Sequence, residues 1–169
     1  SAVELGKQLR DAGAVIVSIN CLANQFGEEG LSTLLAAIKG TSVRSLCGLT
    51  EGQTIANFSD QKLGPIDCKI MAAEFAFQGF IAAINSIVLD GCALTGATKR
   101  NSSDKTFSQD IDSQMDGFVA LCAVFGKLER ISLVNCGLGP TSAAELSKAV
   151  SSAGAVLTVA KIIGNPIGP

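Results

Sequence analysis

The chain has 169 residues, of which 47% are apolar and 17% charged, with a net charge of −2 and no His, Trp or Tyr. That length suits one domain with a substantial core, and the near-neutral charge excludes the basic footprint that nucleic acid or an anionic membrane would require. Without imidazole the chain lacks the commonest general base and metal ligand, so most familiar enzyme mechanisms are excluded and no catalytic residue, cofactor or metal is expected.

The opening segment recurs near the end at an offset of 141 residues: Ser1-Ala2-Val3-Glu4-Leu5-Gly6-Lys7 aligns on Ser142-Ala143-Ala144-Glu145-Leu146-Ser147-Lys148 without a gap. The match runs on through Ala12-Gly13-Ala14-Val15 and Ala153-Gly154-Ala155-Val156 to Asn24 and Asn165. Such a self-match signals a repeat array. The template L-x-x-L-x-L-x-x-(N/C)-x-L is first met at Ile16, Ile19, Cys21, Asn24 and Phe26, which predicts a strand starting near 16. A helix follows over Glu28–Ile38, with Leu31, Leu34, Leu35 and Ile38 on one inward face and two acids in its first turn.

The second copy is interrupted. Val43 and Leu46 open a strand, but the polar landmark arrives only at Gln61, in the run Phe58 to Pro65, so residues 49–56 read as a loop or small hairpin inserted between strand and turn. A helix over 66–78 turns Ile70, Met71 and Phe75 inward. The apolar stretch Ile70 to Leu89 is broken by Glu74, Gln78, Gly79, Asn85 and Ser86, so no membrane span is expected. The third copy reads Ile84, Ile87, Leu89, Cys92 and Leu94, and a polar insertion near 97–110 follows; its core, Thr98 to Lys105, has no apolar residue and is expected to be mobile.

A helix over 111–125 leads to the cleanest copy, Leu128, Ile131, Leu133, Cys136 and Leu138. A last helix over 142–151 precedes Leu157, Ala160, Ile162, Asn165 and Ile167. Gly40, Gly79, Gly126 and Gly154 are expected to close the four helices in left-handed conformations. Strands thus start near 16, 43, 84, 128 and 157, and the chain begins and ends within a repeat. Uncapped repeat ends are expected to associate.

This template, with the turns Cys136-Gly137-Leu138-Gly139-Pro140 and Asn165-Pro166-Ile167-Gly168-Pro169, resembles the ribonuclease-inhibitor-like class of leucine-rich repeats over nearly the whole chain. The resemblance implies an α/β solenoid, a single horseshoe segment of about five repeats over 1–169, with parallel strands on the concave face and helices on the convex face. It also implies a non-catalytic scaffold or assembly subunit that binds a protein partner. Activators of a nuclear-transport GTPase resemble the same class, so a regulator of a small GTPase is the alternative; the acidic tail and conspicuous charged strand edges associated with that family are not evident here.

Asn24, Cys92, Cys136 and Asn165 are expected to turn the chain out of each strand and to donate to backbone carbonyls of the neighbouring turn. The six cysteines, without a C-x-x-C pair or any His, read as free thiols in a reducing, intracellular and cytoplasmic setting. Asp110, Asp112 and Asp116 could line a helix entrance and attract a cation, but their spacing is not that of a calcium loop. Outward strand positions would meet a partner: Asn20, Arg44, Cys47, Val88, Asp90, Glu129, Arg130, Ser132 and Lys161, together with the inserted loops.

Overall fold

The computed structural model describes residues 2–11, 15–152 and 154–168. Ser1, Ala12, Gly13, Ala14, Ala153 and Pro169, which belong to the internal match and the last turn, lie outside the described residues. In chain order the elements are α1 (Ala2–Asp11), α2 (Glu28–Ile38), β1 (Ile55–Asn57), α3 (Pro65–Ala76), a 3-10 turn (Phe80–Ala83) and β2 (Ser86–Val88). A hairpin of β3 (Thr98–Arg100) and β4 (Phe107–Gln109) follows, then α4 (Asp116–Phe125), β5 (Arg130–Ser132), α5 (Pro140–Ser151) and β6 (Val159–Lys161).

β1, β2, β5 and β6 form one parallel sheet in that order. Each strand is three residues long because each has one inward side chain to place: Ala56, Ile87, Ile131 and Ala160 stand opposite one another in register. The first three are buried, and they meet Ile70, Met71, Phe118, Leu121 and Phe125 of the helices in one core. Phe118 and Phe125 pack edge to face, with ring centres 6.3 Å apart. Helices adjacent in sequence lie side by side, except that α2 and α3 touch only sparingly. Gly117 sets the closest of these approaches, since a Cβ there would overlap the Pro65 carbonyl.

Beyond the strands, one side chain per turn links neighbouring units. Asn165 Nδ2 donates to Leu133 O at 2.6 Å, and its Oδ1 accepts from Cys136 N at 2.8 Å and Leu138 N at 3.2 Å. Cys136 Sγ reaches Leu89 O at 3.2 Å, and Cys92 Sγ reaches Phe58 O at 3.4 Å. Three landmark residues therefore form a ladder down the stack. Among the described residues Asn24 bonds only within its own turn, to Cys21 O and Leu22 O, and not to a neighbouring one.

The structure corrects the reading of the second copy. Its sheet strand is β1, which starts at the end of the segment 49–56 read as a loop or small hairpin and runs one residue past it, so most of the extra residues precede the strand. The physical reason is that the turn from Phe58 to Leu63 must leave directly from the strand that feeds it; Phe58 N donates to Val88 O at 2.8 Å, continuing the ladder of β1. The strand expected at Val43 makes only single bridges, Ser45 with Ser18 and Cys47 with Asn20. Residues 17–21 and 44–48 thus form a small block of their own beside the four-stranded sheet.

Glu74 closes the seam between that block and the sheet. Fully buried on α3, its Oε2 accepts from Leu46 N at 2.8 Å and Cys47 N at 3.1 Å, and its Oε1 accepts from Ile81 N at 3.3 Å. A carboxylate takes the place of a neighbouring strand as hydrogen-bond acceptor. Asp67, also on α3, joins the same blocks, accepting from Ala23 N and Gly64 N, each at 2.8 Å.

Two further expectations change. The segment 97–110 forms the β3–β4 hairpin, because Asn101 and Asp104 supply acceptors for its turn (Ser103 N at 2.8 Å, Thr106 N at 3.0 Å) and Arg100 lies over Phe107. Gly40 and Gly154 do adopt left-handed backbone, φ +80° and +82°, but Gly79 and Gly126 do not; at α3 the left-handed residue is Gln78, φ 54°. Gly79 is needed for space, since a Cβ would strike the Arg44 carbonyl. The apolar run 70–89 divides among α3, the 3-10 turn and β2, and among the described residues no helix is long and apolar enough to cross a membrane.

Candidate protein-binding face

Strand alternation puts two rows of side chains on the sheet face opposite the core. Ile55, Ser86, Arg130 and Val159 share one register row, and Asn57, Val88, Ser132 and Lys161 share the next. Four of the nine residues expected to bind a partner therefore belong to these rows: Val88, Arg130, Ser132 and Lys161. Arg130 and Lys161 are exposed, Val88 is half-buried, and Ser132 is nearly covered. Glu129 sits one position ahead of β5 and is exposed; its carbonyl accepts from Thr158 N at 2.8 Å.

The other four are dispersed. Asp90 is half-buried and braces the next turn, accepting from Val134 N at 2.9 Å. Asn20 is exposed in the separate block, with its Oδ1 accepting from Leu22 N at 3.0 Å. Arg44 borders a groove of about 560 Å³ between the C-terminal ends of α2 and α3, alongside Leu35 and Phe77, and so stands apart from the strand rows. Cys47, expected on the concave face or under a loop, is buried at 2% exposure beside Glu74 and offers a partner nothing. Its segment lies at the seam, where both sides of the backbone are covered, so alternation along a strand does not predict its exposure.

Two residues of the face escaped sequence reasoning. Ile55, 58% exposed, falls within the segment 49–56 read as an insertion and Asn57 just after it, although the resemblance of the run Phe58 to Pro65 to the run Leu133 to Pro140 points to a strand just ahead of it. The β3–β4 hairpin stands at the edge of the same region: Arg100 pairs with Asp60 at 2.8 Å, and Phe107 packs close to Gly137 in the turn after β5. Its exposed Lys99, Arg100, Asp104 and Lys105 add charge of both signs beside the strand rows.

The remaining polar candidates serve the fold. Asp112 caps α5 from outside, accepting from Gly139 N at 3.0 Å, Thr141 N at 2.9 Å and Ser142 N at 3.1 Å, while Asp110 pairs with the Thr98 hydroxyl. Among the described residues no cluster of three or more acids and cysteines could hold a metal ion. All six cysteines are unpaired and buried. Burial pushes the Cys21 thiol up to about 11 and those of Cys122 and Cys136 up to about 12; Cys47, buried beside Glu74, and Cys68, buried near Asp67, are also raised. Such thiols stay protonated near neutral pH and are poor nucleophiles. Comparison with protein-family models and with curated proteins finds no match to this chain, which leaves its own geometry to carry the functional reading.

Proposed function

We propose that the chain is a leucine-rich-repeat scaffold of the ribonuclease-inhibitor-like class, which binds a protein partner through the open sheet face and the adjoining hairpin and carries out no catalysis itself. The observation that carries this reading is the pair of cross-strand rows, mixed polar and apolar, on which Ile55, Asn57, Arg130 and Lys161 stand exposed. The landmark ladder through Cys92, Cys136 and Asn165 supports the repeat class, since it uses one Asn or Cys per unit in the way the template implies. Buried, unpaired thiols suit a reducing intracellular compartment such as the cytoplasm. The face has no Trp or Tyr anchor, so affinity is spread over Ile55, Arg130, Lys161 and the hairpin rather than concentrated at one residue.

A photoreactive phenylalanine derivative introduced singly at Asn57, Arg130 and Val119 tests this in the native cell. Val119 is exposed on α4, among the helices. Positions 57 and 130 should cross-link to one common protein and position 119 should not. Cross-linking that favours position 119, or none at 57 and 130, overturns the reading.

A further inference from the structure

The irregular joint between α2 and α3 opens a second concave surface, away from the strand rows. α2 and α3 touch only sparingly, whereas α3 and α4 are drawn together at Gly117. The gap left between the C-terminal ends of α2 and α3 is the groove of about 560 Å³ that Arg44 borders. Leu35, Ile38, Val43, Ala73, Ala76 and Phe77 give it apolar walls. Ile38 and Val43 are buried, while Phe77 stands 39% exposed, the only aromatic ring among the large apolar side chains exposed in the described residues. A volume between about 300 and about 1,000 Å³ is usual for a site that takes a small ligand.

The walls are fixed before anything enters. At the end of α2, Thr41 N and Thr41 Oγ1 both donate to Ile38 O, at 3.0 and 2.6 Å, and Gly40 turns the chain with φ +80°. Arg44 is held on both sides of its backbone: its N donates to Val17 O at 2.6 Å, and its O accepts from Phe80 N at 2.7 Å. Such a surface costs a ligand little ordering of the protein.

The rim is cationic. Lys39 and Arg44 are both exposed, and neither pairs with a carboxylate among the described residues, where the ion pairs are Lys69 with Glu28, Arg100 with Asp60 and Lys148 with Glu145. Glu74 lies on the buried side of α3, its oxygens already occupied by Leu46 N, Cys47 N and Ile81 N. The two helix C-termini contribute partial charges of about −0.5 each, which leaves about one positive charge on the rim for a ligand to neutralise.

We propose that this groove binds a small apolar monocarboxylate, a fatty acid of medium chain length, with its chain along Leu35, Val43 and Phe77 and its carboxylate against Lys39 and Arg44. The apolar walls exclude a sugar or a nucleotide base as the body of the ligand, and the rim excludes a cationic head. A neutral chain would fill the walls and leave both cations unpaired. The site is separate from the sheet face and stands whether or not that face holds a protein.

Amide-resolved NMR titration of the 169-residue chain with decanoate, and with decyltrimethylammonium as the oppositely charged match, tests the proposal. Decanoate should shift the amides of Leu35, Gly40, Arg44 and Phe77 saturably, with a Kd of about 0.5 mM, and the cation should bind at least about tenfold more weakly. Arg44→Glu and Lys39→Glu, both at exposed positions, should each weaken decanoate about fivefold. Lys127→Glu changes the net charge equally at an exposed position outside the groove and should leave the affinity unchanged. Absence of saturable shifts at the groove, equal binding of the cation by the wild type, or an equal effect of Lys127→Glu overturns the proposal. So does a hexapeptide ending in leucine that binds more tightly than decanoate, since the groove would then be a seat for a polypeptide end.

Discussion

The stack from β2 to β6 and the seam at residues 44–54 meet the same demand in different ways. Both must supply acceptors for the backbone N–H groups that a strand carries into its turn. In the stack the neighbouring strand does this: Leu89 N donates to Ser132 O at 2.9 Å and Leu133 N to Lys161 O at 2.7 Å, with Cys136 and Asn165 binding the turns together. At the seam no strand is present, and Glu74 accepts from Leu46 N and Cys47 N. The stack depends on many weak, repeated contacts, the seam on a few buried side chains, Glu74 foremost, with Ser45 Oγ accepting from Cys47 N at 3.1 Å and Leu49 N at 3.0 Å. A stack of parallel strands thus tolerates an irregular joint when an acid can reach the orphaned donors.

Alkaline pH should erase this difference, with the largest effect of all. An unfolded thiol ionises near 9.0, whereas the folded values lie at about 11 for Cys21 and about 12 for Cys122 and Cys136. Folded pKa values above the unfolded ones mean that the folded chain holds more protons in that interval. The stabilisation is therefore complete below pH about 9 and is lost as the pH rises toward about 12. Cys122 and Cys136 each lose up to about 1.4 kcal/mol of stabilisation per pH unit across that interval and Cys21 over a narrower one, a total comparable to the stability of an ordinary domain. Circular dichroism across this range should show cooperative unfolding of both regions; unchanged signal to pH about 11 would contradict it.

Next in size is Glu74→Ala, which leaves the N–H groups of Leu46 and Ile81 buried without an acceptor and Cys47 N with Ser45 Oγ alone. A loss of about 4 kcal/mol is expected in urea denaturation, with Glu74→Gln milder because one amide oxygen still accepts. Asn165→Ala should cost less, about 2 kcal/mol, since its site is half-buried and water can reach the freed groups. Cys136→Ala should cost about 1 kcal/mol, a weak S–H donor and a small cavity being all it removes. An inverted order, with Asn165→Ala the more damaging, would show that the ladder and not the acid holds the protein together.

The same contrast explains how much the sequence discloses. Where units are regular, the positions Ile87, Ile131 and Ala160 fall in register as the template places them, and the landmark residues bond as their chemistry suggests. At the seam, Val43 and Leu46 carry an apolar strand pattern because Leu46 is buried, but the burial comes from α3 and Glu74, which no local spacing encodes. That misplacement carried Cys47 onto the candidate face and left Ile55 and Asn57 off it. The hairpin was missed for another reason: polar side chains that bond their own turn, as Asn101 and Asp104 do, read as disorder when apolar periodicity is the signal sought.

The open face extends from the strand rows to Asn20 only if the seam holds the two blocks as one body. Residue-resolved amide hydrogen exchange under native conditions tests this most directly. The N–H groups of Leu46 and Cys47 should be protected to the same degree as those of Leu89 and Leu133, and both should lose protection in Glu74→Ala, Leu46 more than Cys47, whose N–H keeps Ser45 Oγ. Exchange of Leu46 and Cys47 near the free-peptide rate in the wild type, while Leu89 and Leu133 stay protected, would contradict a single rigid face.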